Sequence, residues 1–297
     1  MDRIDAMQAF VAVADLQGFA PAARKLGLSP SAVTRLIAAL EDRLGARLLQ
    51  RTTRQVTLTD AGARYLDRAR RILADVEEAE AAAEGERTRP SGRLVVSAPV
   101  GFGRLHVSPV MSAYLKRHGE VAVELRLEDR VINLVEDGVD LAVRIAHLPD
   151  SSLVARQVGD MPRIVVASPD YLARRGEPKT PAAIAAHETI QFGATAAPPD
   201  WRFVEDGREV RVASTPRFTT NSSDAAIQYA EAGGGLTRVM FYQAAAALKA
   251  GRLKIVLAKF EEPPLPIHLV YPTSRLLSAK VRAFVDLVTE IADWRFG

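Results

Sequence analysis

Residues 59–86 carry an unbroken helical pattern that no single small domain can absorb. Tyr65, Ala69, Ile72, Val76, Ala79 and Ala83 step by 4, 3, 4, 3 and 4, a heptad seam of nearly three repeats. At the usual rise such a helix runs roughly 40 Å. Thr59 is placed to cap its start. Arg87-Thr88-Arg89-Pro90-Ser91-Gly92 ends it as a hinge, because Pro and Gly stop helices and the rest is polar. The chain therefore divides into a body at 1–58, a rod at 59–86, a hinge at 87–92 and a body at 93–297. The seam fits pairing with a second chain. The alternative is packing on the chain's own C-terminal body.

Composition narrows the chemistry. The 297 residues are 48% hydrophobic, enough for a core in each body. There is no cysteine, which excludes disulfides, thiolate catalysis and Cys-based metal sites. His106, His118, His147, His187 and His268 show no metal-ligand spacing. No apolar run reaches the ~18 residues of a membrane span, and the start MDRIDAMQAF lacks a signal-peptide core. The expectation is a cytoplasmic protein without a membrane partner. A net charge of +3 decides little by itself. Its distribution says more: bases outnumber acids up to Arg71, and the next fifteen residues carry Asp75, Glu77, Glu78, Glu80, Glu84 and Glu86 with no base.

In the first body, Ile4, Met7, Phe10, Val11 and Ala14 mark a helix running to about Leu16, stopped by Gly18. Pro21 suits the first turn of a second helix at 22–26, and Gly27-Leu28 makes a turn. Ser29 then caps a third helix with Pro30 at its first position. Val33, Leu36, Ile37, Leu40 and Leu44 form its buried stripe, and Ser31, Thr34, Arg35 and Ala38 its open face. Arg47, Arg51 and Arg54 surround the β-prone stretch Gln55-Val56-Thr57-Leu58. A short helix, a tight turn, a helix with small polar residues and Arg at its start, and a basic hairpin suit the major groove of double-stranded DNA. The competing reading is a small helical domain with a solvated basic face.

The stretch FAPAARKLGLSPSAVTRLIAALEDRLGARLLQRTTRQVTLTDAG decides between them. With Ala22-Ala23, Leu26, Ser29, the Ser-Ala-Val-Thr-Arg core, Leu40-Glu41, Leu44-Gly45, Leu48, Arg51, Arg54 and Leu58-Thr59-Asp60-Ala61-Gly62, it resembles the N-terminal domain of LysR-type transcriptional regulators. The resemblance implies a winged helix-turn-helix. Ser29, Ser31, Thr34 and Arg35 would meet groove and phosphate, with Arg51 and Arg54 as wing contacts. It also implies self-association as a dimer or tetramer through Tyr65, Ala69, Ile72, Val76, Ala79 and Ala83. Three departures stand out. Ala20 sits where the family often caps the second helix with Ser or Thr, Pro30-Ser31 replaces a frequent Gln, and Leu49 replaces a common Phe.

In residues 93–297 strands alternate with helices, which implies α/β architecture with parallel sheets. Strands are expected at 94–97, 121–127, 141–145, 164–167, 218–221, 236–240, 255–257 and 267–271. Helices are expected at 105–117, 131–137, after Ser168-Pro169-Asp170, from Ser222 or Ser223 to Ala232, at 241–249, and from Ser278 to about Trp294. Asp206-Gly207 signals a hairpin. GRLVVSAPVGFGR, VEDGVDLAVRIAHLPDSSLVAR, VASPDYLARRGEPKTP and LVYPTSRLLSAKVRAFVDL resemble the family's effector domain, of periplasmic-binding-protein-like type II fold. Lobe one would be about 93–161 plus 268–297, and lobe two 162–267.

Ligands bind such folds where strand ends and helix N-termini converge. Those positions hold Ala98, Pro99, Val100, Phe102, Arg144, Ile145, Gln191, Phe192, Asn221, Ser222, Asp224, Leu236 and Thr237. Helix N-termini and Arg144 favour a small organic anion, such as a carboxylate. Arg144 has a competing use as ion-pair partner of Asp140 or Glu128. Gly101-Phe102-Gly103 mimics part of a dinucleotide fingerprint but lacks its third glycine, and Gly233-Gly234-Gly235 lacks the Lys of a phosphate loop. No Gly-x-Ser-x-Gly elbow is present. The sequence thus predicts a non-enzymatic regulator without a resident cofactor, with DNA, a small-molecule effector, a second copy and the transcription machinery as partners. Rival readings are an enzyme with a DNA-binding appendage and an architectural protein without an effector.

Overall fold

The computed structural model describes residues 2–51, 56–83, 89–148, 153–193, 200–272 and 278–296. The chain separates into two compact units, Met1–Gly92 and Arg93–Gly297.

The first unit opens with α1 (Arg3–Leu16), capped by Asp2, whose carboxylate accepts from the Ile4 amide at 3.0 Å. Gln17, not Gly18, takes the left-handed turn that ends it, and Gly18 is the extended N-cap of α2 (Phe19–Leu26). Ala20 is therefore inside the helix rather than at its cap. α3 (Pro30–Leu44) starts as its Ser29-Pro30 signal predicts, with Ser29 Oγ accepting from the Ala32 amide at 3.2 Å. Its stripe holds at Val33, Ile37 and Leu40, whereas Leu44 is 41% exposed and Glu41 is buried in its stead. β1 (Leu49–Arg51) and β2 (Val56–Leu58) pair antiparallel as a two-stranded wing. α4 (Asp60–Ala83) follows, capped by Thr59, whose Oγ1 accepts from the Gly62 amide at 2.9 Å and donates to the Arg47 carbonyl at 2.7 Å. A Cβ on Gly62 would lie 2.0 Å from the Leu48 carbonyl oxygen, so only glycine lets α4 start against the wing.

The second unit is built on two mixed sheets. β3 (Gly92–Ala98) leads into one helical run: α5 (Val100–Phe102), a π-helical turn at Gly103–Val107, and α6 (Ser108–Arg117). The helix expected at 105–117 thus starts five residues earlier. After β4 (Val121–Leu127), α7 is confined to Leu134–Asp137 by its Asn133 cap, and Val131 lies outside it, 91% exposed. β5 (Leu141–Ile145) is followed by β6 (Leu153–Met161), a strand the alternation did not reveal. The chain then enters the other sheet with β7 (Arg163–Ala167), α8 (Pro169–Arg175), a 3-10 turn at Pro181–Ala186 and β8 (Thr189–Phe192). β9 (Asp200–Glu205) and β10 (Arg208–Ala213) form the hairpin that Asp206-Gly207 signals. β11 (Pro216–Thr220), α9 (Ser223–Glu231), β12 (Leu236–Met240), α10 (Phe241–Lys249) and β13 (Lys254–Val256) complete this part. β14 (Leu265–Pro272) returns to the first sheet, α11 (Ala279–Ile291) packs on it, and the chain closes with β15 (Trp294–Arg295). Trp294 is therefore in a strand beside β6 rather than at a helix end.

The six-stranded sheet has the order β15-β6-β14-β5-β3-β4 and the five-stranded sheet β11-β8-β12-β7-β13. Neither is purely parallel. β14 runs antiparallel to β5 and β6, and β7 antiparallel to β12 and β13, which corrects the expected parallel arrangement. The chain leaves the six-stranded sheet after Met161 and comes back at Leu265, with the five-stranded sheet built in between. Among the described residues no helix is long and apolar enough to cross a membrane.

Candidate nucleic-acid interface and effector cleft

In the first unit the open face of α3 begins at its N-terminus. Ser31 and Arg35 are exposed, Thr34 and Ala38 half-buried. Ser29 Oγ serves as the cap and lies 3.0 Å from Ser31 Oγ, and Thr34 Oγ1 donates to the Pro30 carbonyl at 2.9 Å. Three of the four predicted groove residues, Ser29, Ser31 and Thr34, thus hydrogen-bond within the start of their own helix, and the exposed Arg35 side chain is the long cationic donor beside them. Arg35 borders a shallow open recess with Asp5 and Gln8 of α1 and Leu28 of the turn. Arg51 lies on β1; its side chain, and all of Arg54, fall outside the described residues.

Sequence reasoning gave no role to the residue that fixes this geometry. Glu41, 3% exposed, accepts from the Leu48 amide at 2.8 Å, the Leu49 amide at 3.1 Å and Arg47 Nη1 at 2.9 Å. Burial would raise its carboxyl, but these bonds hold it below its ordinary value. One carboxylate thereby ties the end of α3 to the first strand of the wing. The available signal was position: Glu41 lies four residues after Ile37, on the buried stripe.

The heptad seam divides. Tyr65 packs edge-on against Phe10, with ring centroids 5.5 Å apart, and Ala69 is fully buried. Leu66 belongs to the core of the first unit, with Tyr65 packed against it, and Leu73 is buried. Ile72 is 43% exposed and Val76 half-buried. The side chains of Ala79 and Ala83 fall outside the described residues.

In the second unit the expected cleft residues sort by burial. Phe102 is fully buried among Tyr242, Trp294, Phe296 and His106, and Leu236 lies in the core of the five-stranded sheet. Ala98 is fully buried, and Thr237 donates to the Ile190 carbonyl at 3.3 Å. These four hold the scaffold rather than an open surface. Gln191 is buried, its amide donating to the Phe192 carbonyl at 3.1 Å. Pro99, Val100, Arg144, Ile145, Phe192, Asn221, Ser222 and Asp224 are at least partly open. Helix N-termini are less available than expected, because the Val100 amide donates to Asp129 at 3.0 Å and Ser222 caps α9 through the Ala225 amide. Asp224 meets Arg104 at 3.3 Å, a bridge from the π-turn to α9. The Tyr242 hydroxyl accepts from the Gln243 side-chain amide at 3.3 Å, and burial pushes it up to about 12. Gly101 and Gly103 are accounted for by close approach of Tyr242 and Leu127.

Arg144 is not paired as the sequence allowed. Asp140 accepts from the Val95 amide at 2.7 Å and lies 3.6 Å from Lys280, and Glu128 binds Arg130 at 2.7 Å. Burial pulls the guanidinium below its usual range, with the charge of Glu128 opposing. Among the described residues no His, Asp and Glu group could hold a metal ion.

Residues 4–63 match the family model described as a bacterial regulatory helix-turn-helix protein of the lysR family, and residues 87–293 match the LysR substrate binding domain. The chain belongs to the LysR family. An HTH-type transcriptional repressor of Pseudomonas aeruginosa is 34% identical, covering 98% of this chain and 92% of its own length. CrgA, a LysR-type regulator from Neisseria meningitidis, superposes with a TM-score of 0.61 at 30% identity, over 97% of this chain and 99% of its own. The full-length Vibrio cholerae virulence activator AphB gives 0.62 at 26% identity, over 98% and 99%. This LysR-family chain is accordingly a DNA-binding transcriptional regulator with an effector-binding domain, and not an enzyme.

Proposed function

We propose that this regulator binds operator DNA as a paired molecule and that a small molecule, held between the two sheets of the second unit, changes that binding. The observation that carries the reading is the open start of α3: Ser31 and Arg35 are exposed there, and the wing is tied to the same helix by Glu41. Two such helices, one from each chain, would meet half-sites about one DNA turn apart. Arg51 and Arg54 would add phosphate contacts from the wing, and pairing would use the part of α4 from Ile72 onward. The printed names of the relatives include both a repressor and an activator, so the response is written without a sign.

Gel-shift titration against fragments recovered by genome-wide mapping of bound DNA is the test. Arg35→Ala should weaken specific binding by about 1–3 kcal/mol and relax base preference, while Arg51→Ala should lower the salt slope by about one unit. Titrations unchanged in both variants would sink the interface. A broad metabolite panel that never alters the affinity of the wild-type chain for its fragment would remove the effector from the reading.

A further inference from the structure

The chain passes between the two sheets of the second unit twice. The first crossing, Met161-Pro162-Arg163, links β6 to β7, and the second, at 261–264, leads into β14. The crossings run side by side, since Met161 pairs with Leu265 across the ladder. Beyond that pair the ladder cannot continue, because Pro263 and Pro264 carry no amide to donate. Charged side chains take its place. Arg163 Nη1 lies 3.6 Å from Glu262 Oε2, a direct bridge from one crossing to the other. Arg238 of β12 donates to Glu261 Oε2 through Nη2 at 2.6 Å and Nε at 3.2 Å, and reaches Glu262 at 3.3 Å. Arg238 pairs with Val165 of β7, two residues from Arg163, so strand alternation puts both guanidiniums on one face of the five-stranded sheet.

The inner half of this clasp is enclosed. The side chains of Arg238 and Glu261 are each 8% exposed, and the Arg238 guanidinium lies 5.1 Å from the centre of the Phe203 ring. Both bonds from Arg238 go to Glu261 Oε2, which leaves Oε1 buried without a partner. An ionised carboxylate with one bare oxygen is costly to bury, and attraction to arginine need not offset that cost. The charges around it are Arg238 from β12, Arg163 from β7, Arg202 from β9 acting on Arg163, and Glu262 and Lys259 on its own segment, the last over the Phe260 ring. Burial outweighs the arginines and holds the Glu261 carboxyl above its ordinary 4.5. The outer half, Arg163 and Glu262, is partly open, which gives protons a way in.

We infer that Glu261 makes the joint between the two sheets proton-sensitive: a proton taken from solvent onto its carboxylate tightens the packing of the crossings, and loss of that proton loosens it. Arg238 keeps Glu262 as its anion when Glu261 is neutral. The sign follows from linkage. The packed joint holds the proton more tightly than an opened, wetted one, so acid favours packing. The stabilisation is complete below 4.5 and is lost as pH rises through the higher value of the packed joint. On the reading of these sheets as the two sides of an effector cleft, pH becomes a second input to the same domain.

Both tryptophans, Trp201 on β9 and Trp294 on β15, lie in the second unit, so their fluorescence follows its unfolding in the full chain. Glu261→Gln, a fixed neutral mimic, should melt above wild type at neutral pH, and the gap should close as pH falls toward 4.5. Hydrogen exchange compared at one neutral pH should slow in this variant at 161–166 and 261–267 more than elsewhere in the unit. Glu262→Gln removes the bridge to Arg163 and keeps Glu261. It should speed exchange at the crossings and retain the pH dependence of melting. A Glu261→Gln chain that melts at or below wild type at neutral pH overturns the inference, as does a gap that does not vary with pH. Slowing spread evenly over the unit would make Glu261 a general stability residue and no part of a joint. Unaltered exchange in Glu262→Gln would show that these charges do not hold the crossings together, and would overturn it too. No effector and no operator enters these measurements, so the joint stands or fails apart from the effector reading.

Discussion

At the scale of single residues, a carboxylate this deeply buried must be compensated, and Glu41 is compensated by the wing it holds. Its three hydrogen bonds favour the ionised form. The sign of the pH effect follows. The folded unit keeps the carboxyl ionised below its ordinary value of 4.5, so the stabilisation is complete above that value and is lost as pH falls through the lower folded one. Glu41→Ala would strand two buried backbone donors, at about 1–3 kcal/mol each. Denaturant unfolding at neutral pH should show that loss, and the gap between variant and wild type should close in acid. A gap that stays constant down to the acid limit would show that the carboxylate charge is not the cause. Arg47, by contrast, has its side chain 74% exposed, so its ion pair with Glu41 adds little.

At the scale of elements, local signals were legible and non-local ones were not. Ser29-Pro30, Ser278 and Asp206-Gly207 announce a helix start, a second helix start and a hairpin, because cap and turn chemistry acts over a few residues. β6 was hidden because Arg156, Gln157, Gly159 and Asp160 interrupt any apolar alternation. The π-turn inside the helical run after Pro99 has no local signature, and the reversed direction of β14 is a property of topology. The seam on α4 shows the same limit. Its spacing was readable, but a heptad pattern does not say which surface it covers, and Tyr65, with Leu66 beside it, turns out to pack on the unit's own core. On the proposed pairing, the surface open to a second chain is the part of the helix from Ile72 onward, where Ile72 is exposed and Val76 half-buried. Ile72→Asp with Val76→Asp should therefore shift the full chain toward monomer in sedimentation equilibrium while its unfolding midpoint at low concentration changes little. Ala69→Asp should instead unfold the first unit, since it buries a charge without a partner. Unaltered self-association in the double variant would place the interface elsewhere.

At the scale of the whole molecule, the division into two units was legible from one hinge and one rod, but the candidate site was legible only in part. Arg144 could be chosen because it ends a strand. Its neighbours across the sheet, Ser97 and His268, could not be placed beside it, because their sharing a face with Arg144 depends on the register of three strands far apart in sequence. Regulation across such a molecule requires the ligand to bind its DNA-free and DNA-bound states with different affinity. The coupling is then reciprocal: if an effector changes operator affinity by some factor, operator DNA must change effector affinity by the same factor. Measuring both on one preparation, operator titration with and without ligand and ligand titration with and without operator, should give equal factors, of about 5–150-fold by the usual range of coupling energies. Arg35→Ala should weaken operator binding and leave ligand affinity of the DNA-free chain untouched, because no cleft residue lies on α3. Arg144→Met should do the converse, sparing operator affinity in the absence of ligand. If Arg144→Met alone changed operator affinity without ligand, Arg144 would be holding the unliganded conformation itself, and the guanidinium would belong to the switch rather than to recognition.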